Sequence, residues 1–275
     1  MKIMLYGELI SDRWTWLYDL YEETYCCPKQ VREAIKALAP DEELVLEVNS
    51  PGGDVYAGFE IYGMLQACSG HTEAHVIALA ASAATTITSA CDTVLASPVA
   101  QIMIHQPSVC VVDYVNNEYA KQLKNFLDSI KASIVNGYVK KSAGKATRAK
   151  LEQLVDESTY MPVQDAIELG LVDGILDAEE EDAQRIREGG GVVVTNFALP
   201  GSTPTALLER YEAAVRAGTM QEVPEHPVSR ETPETAQDGP QGAENEARGA
   251  ATDIDVGDNW RMQAAIDLER ARCWP

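Results

Sequence analysis

The chain has 275 residues, 45% of them hydrophobic, and carries a formal net charge of −21. That size and composition suit one substantial core with a smaller appendage. The charge argues against nucleic acid as a partner, because such binding displaces counterions with a basic face, and no run of 18 apolar residues offers a transmembrane helix. Met1 to Gly7 is too short an apolar stretch for a signal peptide and soon meets Glu8 and Asp12. A cytoplasmic protein without a membrane partner is expected.

Ile3 to Tyr6 reads as a short strand, and Pro28 to Leu38 as a helix with proline in its first turn. Between them, the stretch from Leu9 to Pro28 holds Trp14, Trp16, Tyr18, Tyr21 and Tyr25. It reads as a local core contribution, with a substrate or subunit contact as the alternative. Glu43 to Asn49 alternates Leu44, Leu46 and Val48 as a strand. Val55 to Cys68 is helical, Ala74 to Leu79 a strand, and Ser82 to about Ala90 a helix. Thr93 to Ala96 and Gln101 to His105 are further strands. Asp113 to Lys141 is a long helix with Tyr119, Leu123, Phe126, Leu127, Ile130 and Ile134 along one side. Thr147 to Val155 and Val163 to Leu169 are shorter helices. Strand–helix alternation up to residue 176 predicts an α/β fold with mainly parallel pairing.

Composition shifts beyond Ile175. Residues 177–275 open on an acidic run, hold 20 acids against nine arginines, and contain no lysine. Such a segment buries too little apolar area to offset its ordering entropy. It is expected to be a largely disordered acidic extension, with one helix at Thr205 to Ala217 and a second near Trp260 to Arg272.

Three short stretches carry chemistry: Val48-Asn49-Ser50-Pro51-Gly52-Gly53, Ala80-Ala81-Ser82-Ala83-Ala84, and Met103-Ile104-His105-Gln106-Pro107. A serine hydroxyl is a weak nucleophile until a base takes its proton. Histidine suits that role because its ordinary pKa lies near neutrality. Backbone N–H groups must face the oxyanion of the tetrahedral intermediate. Glycines let the backbone approach a substrate, and the alanines around Ser82 leave its hydroxyl reachable. Ser82 also opens a helix, so the N–H of Ala83 points out of that helix start. The six cysteines form no C-x-x-C pair and read as reduced, with Cys110 a structural thiol rather than a nucleophile. His71 and His75 share i,i+4 spacing, but Gly70 and the β-like run after it argue against a helical ligand pair. No metal and no cofactor is expected.

In this order and at these spacings, the stretches resemble the proteolytic subunit of the Clp protease and its phage-encoded relatives. A fourth matching stretch is Ala166-Ile167-Glu168-Leu169-Gly170-Leu171-Val172-Asp173, so the likeness covers about residues 1–176. It implies a ClpP/crotonase-type fold and a serine endopeptidase with Ser82 as nucleophile and His105 as base. The oxyanion hole would be Gly53 and Ala83. The long helix from Asp113 resembles the family's handle, implying a homo-oligomeric ring and the family's double heptamer.

Two departures from the family pattern matter. The family's third triad member is an acid twelve residues before the glycine of the Gly-Leu-Val-Asp stretch, and Ser158 stands there. Asp156, on the same side of an extended segment, Glu157, with its longer side chain, and a neutral Ser158 are the three alternatives, and Asp156 completes the working triad. The family's unfoldase-docking members also carry a leading segment, whereas here the first strand begins almost at Met1. With the acidic extension, this points to a phage head-maturation protease acting on capsid or scaffold polypeptides. A quality-control peptidase working with an AAA+ unfoldase is the alternative, and an inactive ring serving capsid assembly is another. A crotonase-like acyl-CoA enzyme is disfavoured, because it would not need Ser82 and His105 together.

Overall fold

The computed structural model describes residues 1–39, 42–109, 111, 114–176 and 204–220. In chain order, β1 (Lys2–Leu9) leads through a 3-10 turn (Asp12–Trp14) to α1 (Thr15–Leu20) and β2 (Tyr25–Cys26). Then come α2 (Pro28–Ala37), β3 (Leu44–Gly53), α3 (Val55–Gln66), β4 (Thr72–Ala81), α4 (Ala83–Thr88), β5 (Thr93–Ala96) and β6 (Gln101–Ile104). The series continues with α5 (Asn117–Ser142), α6 (Arg148–Asp156), β7 (Thr159–Pro162), α7 (Val163–Leu169) and β8 (Gly174–Ile175), and α8 is Pro204–Arg216.

Local chemistry sets several of these boundaries. Asp54 caps α3 by accepting from the amides of Tyr56 and Ala57 at 2.8 and 3.0 Å. Gln30 reaches back to accept from the Cys27 amide at 2.9 Å, behind Pro28 at the first position of α2. Asn116 and Thr147 cap α5 and α6 in the same way.

The eight strands form one sheet in the order β2-β1-β3-β4-β5-β8, with β6 against β4 and β7 against β6. Every pairing is parallel except β6 with β7. The expected mainly parallel α/β architecture is therefore present. One face of the strands, including Leu44, Leu46, Val48, Ala74, Val76, Val94 and Ala96, is buried in the main core with Ile61, Ile87 and Val135 from the helices. Strand β4 is shared along its length. Its first half pairs with β5 from Glu73 to Val76, and its last residues pair with β6 from Leu79 to Ala81. That handover brings Ala81 beside Met103, so the chain leaves β4 at Ser82 close to where it leaves β6 at His105.

A second core lies at the end of β1. Ile10, Leu17, Tyr18 and Cys27 are buried together with Leu207 and Tyr211 of α8. Trp16 meets Tyr211 edge-on with ring centroids 5.4 Å apart, and the Arg210 guanidinium lies 4.4 Å from the centroid of Tyr21. The helix expected at Thr205 to Ala217 is thus present, and the aromatic insertion packs under it as core. Composition could not foretell that docking, because the apolar face of α8 depends on partners about 190 residues earlier in the chain. The acidic run from Asp177, the stretch from Trp260 to Arg272, Cys110, Asp113 and Cys273 lie outside the described residues.

Two local expectations are corrected. The short helix after Ser82 is Ala83–Thr88, ending earlier than Ala90. Residues 156–158 are not an extended segment: Asp156 is the last residue of α6, Glu157 is its C-cap in helical conformation, and Ser158 has φ 53°. The sharing of one face by Asp156 and Ser158 therefore does not hold. Leu151, Leu154 and Val155 are buried along α6, and the helix ends one residue further than expected.

Candidate active site

Ser82 occupies the turn between β4 and α4 with φ 57° and ψ −123°. A non-glycine residue held there costs about 1–3 kcal/mol and persists only where its surroundings impose it. The surroundings are visible. The Ser82 amide donates to the Met103 carbonyl at 2.9 Å. The buried Thr85 hydroxyl lies 2.7 Å from the Ala80 carbonyl and 2.8 Å from the Met103 carbonyl, tying the ends of β4 and β6 together. The result is a strained strand-to-helix elbow that presents a serine hydroxyl.

His105 follows β6 directly, and its Nε2 lies 2.6 Å from Ser82 Oγ. That is hydrogen-bond distance for a nucleophile and its base. Burial holds the imidazole below its ordinary pKa by penalising the charged form. The ring is therefore neutral at physiological pH and able to accept the serine proton.

The diglycine turn ends β3. Gly52 has φ 91°, and a Cβ there would lie 2.6 Å from the Ala81 carbonyl oxygen, 2.7 Å from Ser82 Cβ and 2.9 Å from the Ala83 nitrogen. Only glycine lets the backbone run this close to the nucleophile. At Gly53, with φ 147°, a Cβ would meet the Leu9 carbonyl oxygen at 2.2 Å. Buried Ser50 pins the turn: its hydroxyl donates to the Gly7 carbonyl at 2.6 Å and accepts from the Gly52 amide at 3.2 Å. Ala83 is the first residue of α4, so its N–H lacks an intrahelical acceptor by helix geometry. Ser82, His105, the diglycine and Ala83 thus converge from the ends of β3, β4 and β6.

The three alternatives for the third member follow one another at the end of α6 and in the turn after it. The Asp156 carboxylate is ion-paired with Lys131 of α5. Glu157 accepts from the Gln153 side-chain amide at 2.8 Å. Antiparallel β6 and β7 pair Met103 with Tyr160 and Ile104 with Thr159. That pairing ends at Ile104 and Thr159, the residues next to His105 and Ser158, and Ser158 itself stands exposed in the turn before β7.

Sequence reading did not single out Thr85. Its position three residues after Ser82, in the first turn of the helix, was the available signal. The described cysteines are free thiols. Burial pushes Cys26 and Cys91 up to about 12 and Cys27 up to about 11, so these three are poor nucleophiles. Among the described residues, no helix is long and apolar enough to cross a membrane.

A sequence model of the Clp protease family matches residues 5–179. The ATP-dependent Clp protease proteolytic subunit 1 of Chlamydia muridarum is 34% identical over 157 residues, covering 54% of this chain and 80% of that protein. The protein of the same name from Chlamydia trachomatis serovar D is 34% identical over 158 residues, with the same coverage of 54% and 80%. Its namesake from Protochlamydia amoebophila is 32% identical over 146 residues, covering 52% of this chain and 69% of the relative. The match spans the elbow serine, the histidine and the diglycine turn, and the chain belongs to the Clp protease family of serine-type peptidases.

Proposed function

We propose that the protein is a ring-forming serine endopeptidase whose nucleophile is Ser82, and the observation that carries this is the 2.6 Å approach of His105 Nε2 to Ser82 Oγ at a strained elbow. His105 takes the hydroxyl proton as Ser82 Oγ attacks the scissile carbonyl. The carbonyl oxygen gains negative charge and is held by the N–H groups of Gly53 and Ala83. The imidazolium then gives its proton to the departing amine, the C–N bond breaks, and an acyl-enzyme remains on Ser82. Water, deprotonated by His105, releases the acid and restores the serine.

For the third position we favour Ser158, supported by its neighbour Thr159 pairing with Ile104 beside His105 and by the engagement of Asp156 with Lys131. A serine can hold the imidazole tautomer by a hydrogen bond but adds no charge to stabilise imidazolium. Losing the acid costs about 10⁴ in rate in well-studied triads and leaves catalysis above background. A slow, dedicated protease fits that arithmetic.

The substrate proposed is a phage capsid or scaffold polypeptide, supported by the acidic segment that the chain carries beyond residue 179, where the family match ends. Ring assembly is supported by α5. Its C-terminal half is buried through Ile130, Ile134 and Tyr138, whereas its first half carries Phe126 at 43% exposure beside half-buried Tyr119, Leu123 and Leu127. That unburied stripe suits contact with another copy. A Clp-type peptidase working with an AAA+ unfoldase is the second reading, supported by the ATP-dependent activity in the relatives' names.

The test is fluorophosphonate labelling of the purified chain beside Ser82→Ala. Labelling confined to Ser82 supports the hydrolase. A folded wild-type chain that takes no label overturns it in favour of an inactive scaffold ring. Incubation with phage capsid and scaffold proteins, with and without an ATP-driven unfoldase, separates the two substrate readings.

A further inference from the structure

The far end of β4 from the elbow gathers a different set of groups. His71, just before β4, and Glu73 and His75 within it recur at every second position, and alternate residues of extended backbone share one face. Gly70 and the β-like run after it argued only against a helical pair of His71 and His75. Glu43, just before β3, and Asp92, just before β5, reach the same place. His71 Nε2 lies 3.7 Å from Glu43 Oε1 and 4.0 Å from Glu73 Oε2, and the candidate donor atoms of these three residues lie within 4.8 Å of one another. His71 Nε2 also lies 3.1 Å from the Thr93 hydroxyl.

We propose that Glu43, His71 and Glu73 bind one first-row divalent cation of the zinc type at this end of the sheet. Imidazole nitrogen with carboxylate oxygen is a donor set that such ions accept. At metal–ligand bonds near 2.1 Å, tetrahedral ligands stand roughly 3.4 Å apart. The observed separations close to that value with small side-chain rotations. The cation would take the Nε2 lone pair in place of the Thr93 bond, leaving water or that hydroxyl for a fourth position.

A carboxylate also stands behind the His71 ring, just beyond hydrogen-bond distance. Asp92 Oδ2 lies 3.6 Å from His71 Nδ1, on the side of the ring away from Glu43 and Glu73. The same oxygen accepts from the Thr72 amide at 2.9 Å and from its hydroxyl at 2.9 Å, which fixes the carboxylate. A carboxylate behind a ligating imidazole sets its tautomer and raises its basicity. His75 Nε2 meets the other oxygen of Glu73, and His75 Nδ1 is buried without a partner. The ring's one proton is therefore best placed on Nε2, donated to Glu73.

Charge points the same way. Glu43, Glu73 and Asp92 are three carboxylates around two imidazoles, so the cluster stays net negative even with both rings protonated. Two cations border the cluster and each has its own carboxylate: Lys141, which also donates to the Asp92 carbonyl at 3.1 Å, is ion-paired with Asp173 at 2.7 Å, and the N-terminal ammonium pairs with Glu42 at 3.0 Å. His71 is 47% exposed on its side chain, which leaves an ion a way in. The ten residues of β4 put roughly 33 Å between this cluster and Ser82. A cation here would clip the starts of β3 and β4 together without touching the peptidase chemistry, and the inference does not depend on it.

The experiment is titration of the metal-stripped full chain with Zn²⁺ by calorimetry and with Co²⁺ by absorption. One equivalent should bind, with a Co²⁺ spectrum of nitrogen and oxygen ligands and no thiolate charge-transfer band. Affinity should fall at least tenfold in His71→Ala and in Glu43→Gln, and 10- to 100-fold in Asp92→Asn. Circular dichroism checks that each variant is folded, and Glu43→Gln, on a half-exposed residue, carries the test should His71→Ala unfold. Three results overturn the proposal: no saturable binding, binding unchanged in a folded ligand variant, or a thiolate band that disappears in Cys68→Ser.

Discussion

Returning an acid to position 158 tests the catalytic reading most directly. Ser158 is exposed and sits at φ 53°, a conformation that aspartate tolerates better than most residues, so Ser158→Asp should fold normally. Its neighbour Thr159 pairs with Ile104, so the proposal sets the new carboxylate beside His105. Two unit charges about 4 Å apart interact by about 4 kcal/mol at an effective dielectric of 20. Part of that is offset by desolvating the carboxylate beside a partly buried ring. A net stabilisation of imidazolium in the transition state of about 1.4–2.7 kcal/mol would raise the rate roughly 10- to 100-fold. The assay is the second-order rate of fluorophosphonate labelling at Ser82, followed by turnover of a fluorogenic peptide. The same carboxylate opposes the effect of burial on His105 and raises its pKa, so the variant's activity should begin at a higher pH than wild type. A folded Ser158→Asp chain that labels no faster, with an unmoved pH profile, would refute the placement of residue 158 beside the imidazole.

Other expectations follow from the same geometry. In the unaltered chain, burial lowers the His105 pKa, so the base is free at lower pH and labelling should reach half its plateau below the usual imidazole value of about 6.5; a midpoint above that value would contradict the reading. Asp156→Asn should leave labelling within about twofold, since its carboxylate is held by Lys131; a loss of 10²-fold or more would restore Asp156 as the third member. Gly52→Ala drives a Cβ to within 2.6 to 2.9 Å of Ala81, Ser82 and Ala83, and should cut labelling by about 10²-fold or more while circular dichroism stays native. Leu207→Ala removes a fully buried side chain from the second core, at a cost of about 2–5 kcal/mol. It should make α8 the first site of limited proteolysis, with digestion read by mass spectrometry; an unchanged digestion pattern would mean that α8 does not hold to the aromatic insertion.

Much of the fold was legible because its signals are local. Pro28 at a helix start, the alternation Leu44, Leu46, Val48 and the strand–helix rhythm depend on neighbours a few residues apart. Strand Thr93–Ala96 and helix Val163–Leu169 were placed to the residue for that reason. The four-residue strand β7 was not, because Thr159–Pro162 gains its partners only from β6, almost 60 residues earlier. The docking of α8 was equally invisible, since Leu207 and Tyr211 are apolar residues in a strongly acidic region until Trp16 and Leu17 cover them.

The candidate site divides along the same line. The sequence alone determined which residue types were present for acyl transfer, and in what order: a diglycine, a serine among alanines and a histidine. Only the tertiary structure decided how they meet. The handover of β4 from β5 to β6 sets Ser82 beside His105, the Thr85 hydroxyl locks those strand ends, and the elbow takes its positive φ from that packing. It also turned residues 156–158 from a strand into a helix end, moving Asp156 to Lys131. At the opposite end of β4, strand geometry gave His71 and Glu73 a shared face, and the parallel neighbours β3 and β5 brought Glu43 and Asp92 to it. Residue type is a local property of the chain, whereas the distance between groups far apart in sequence is set by how the sheet is ordered and paired.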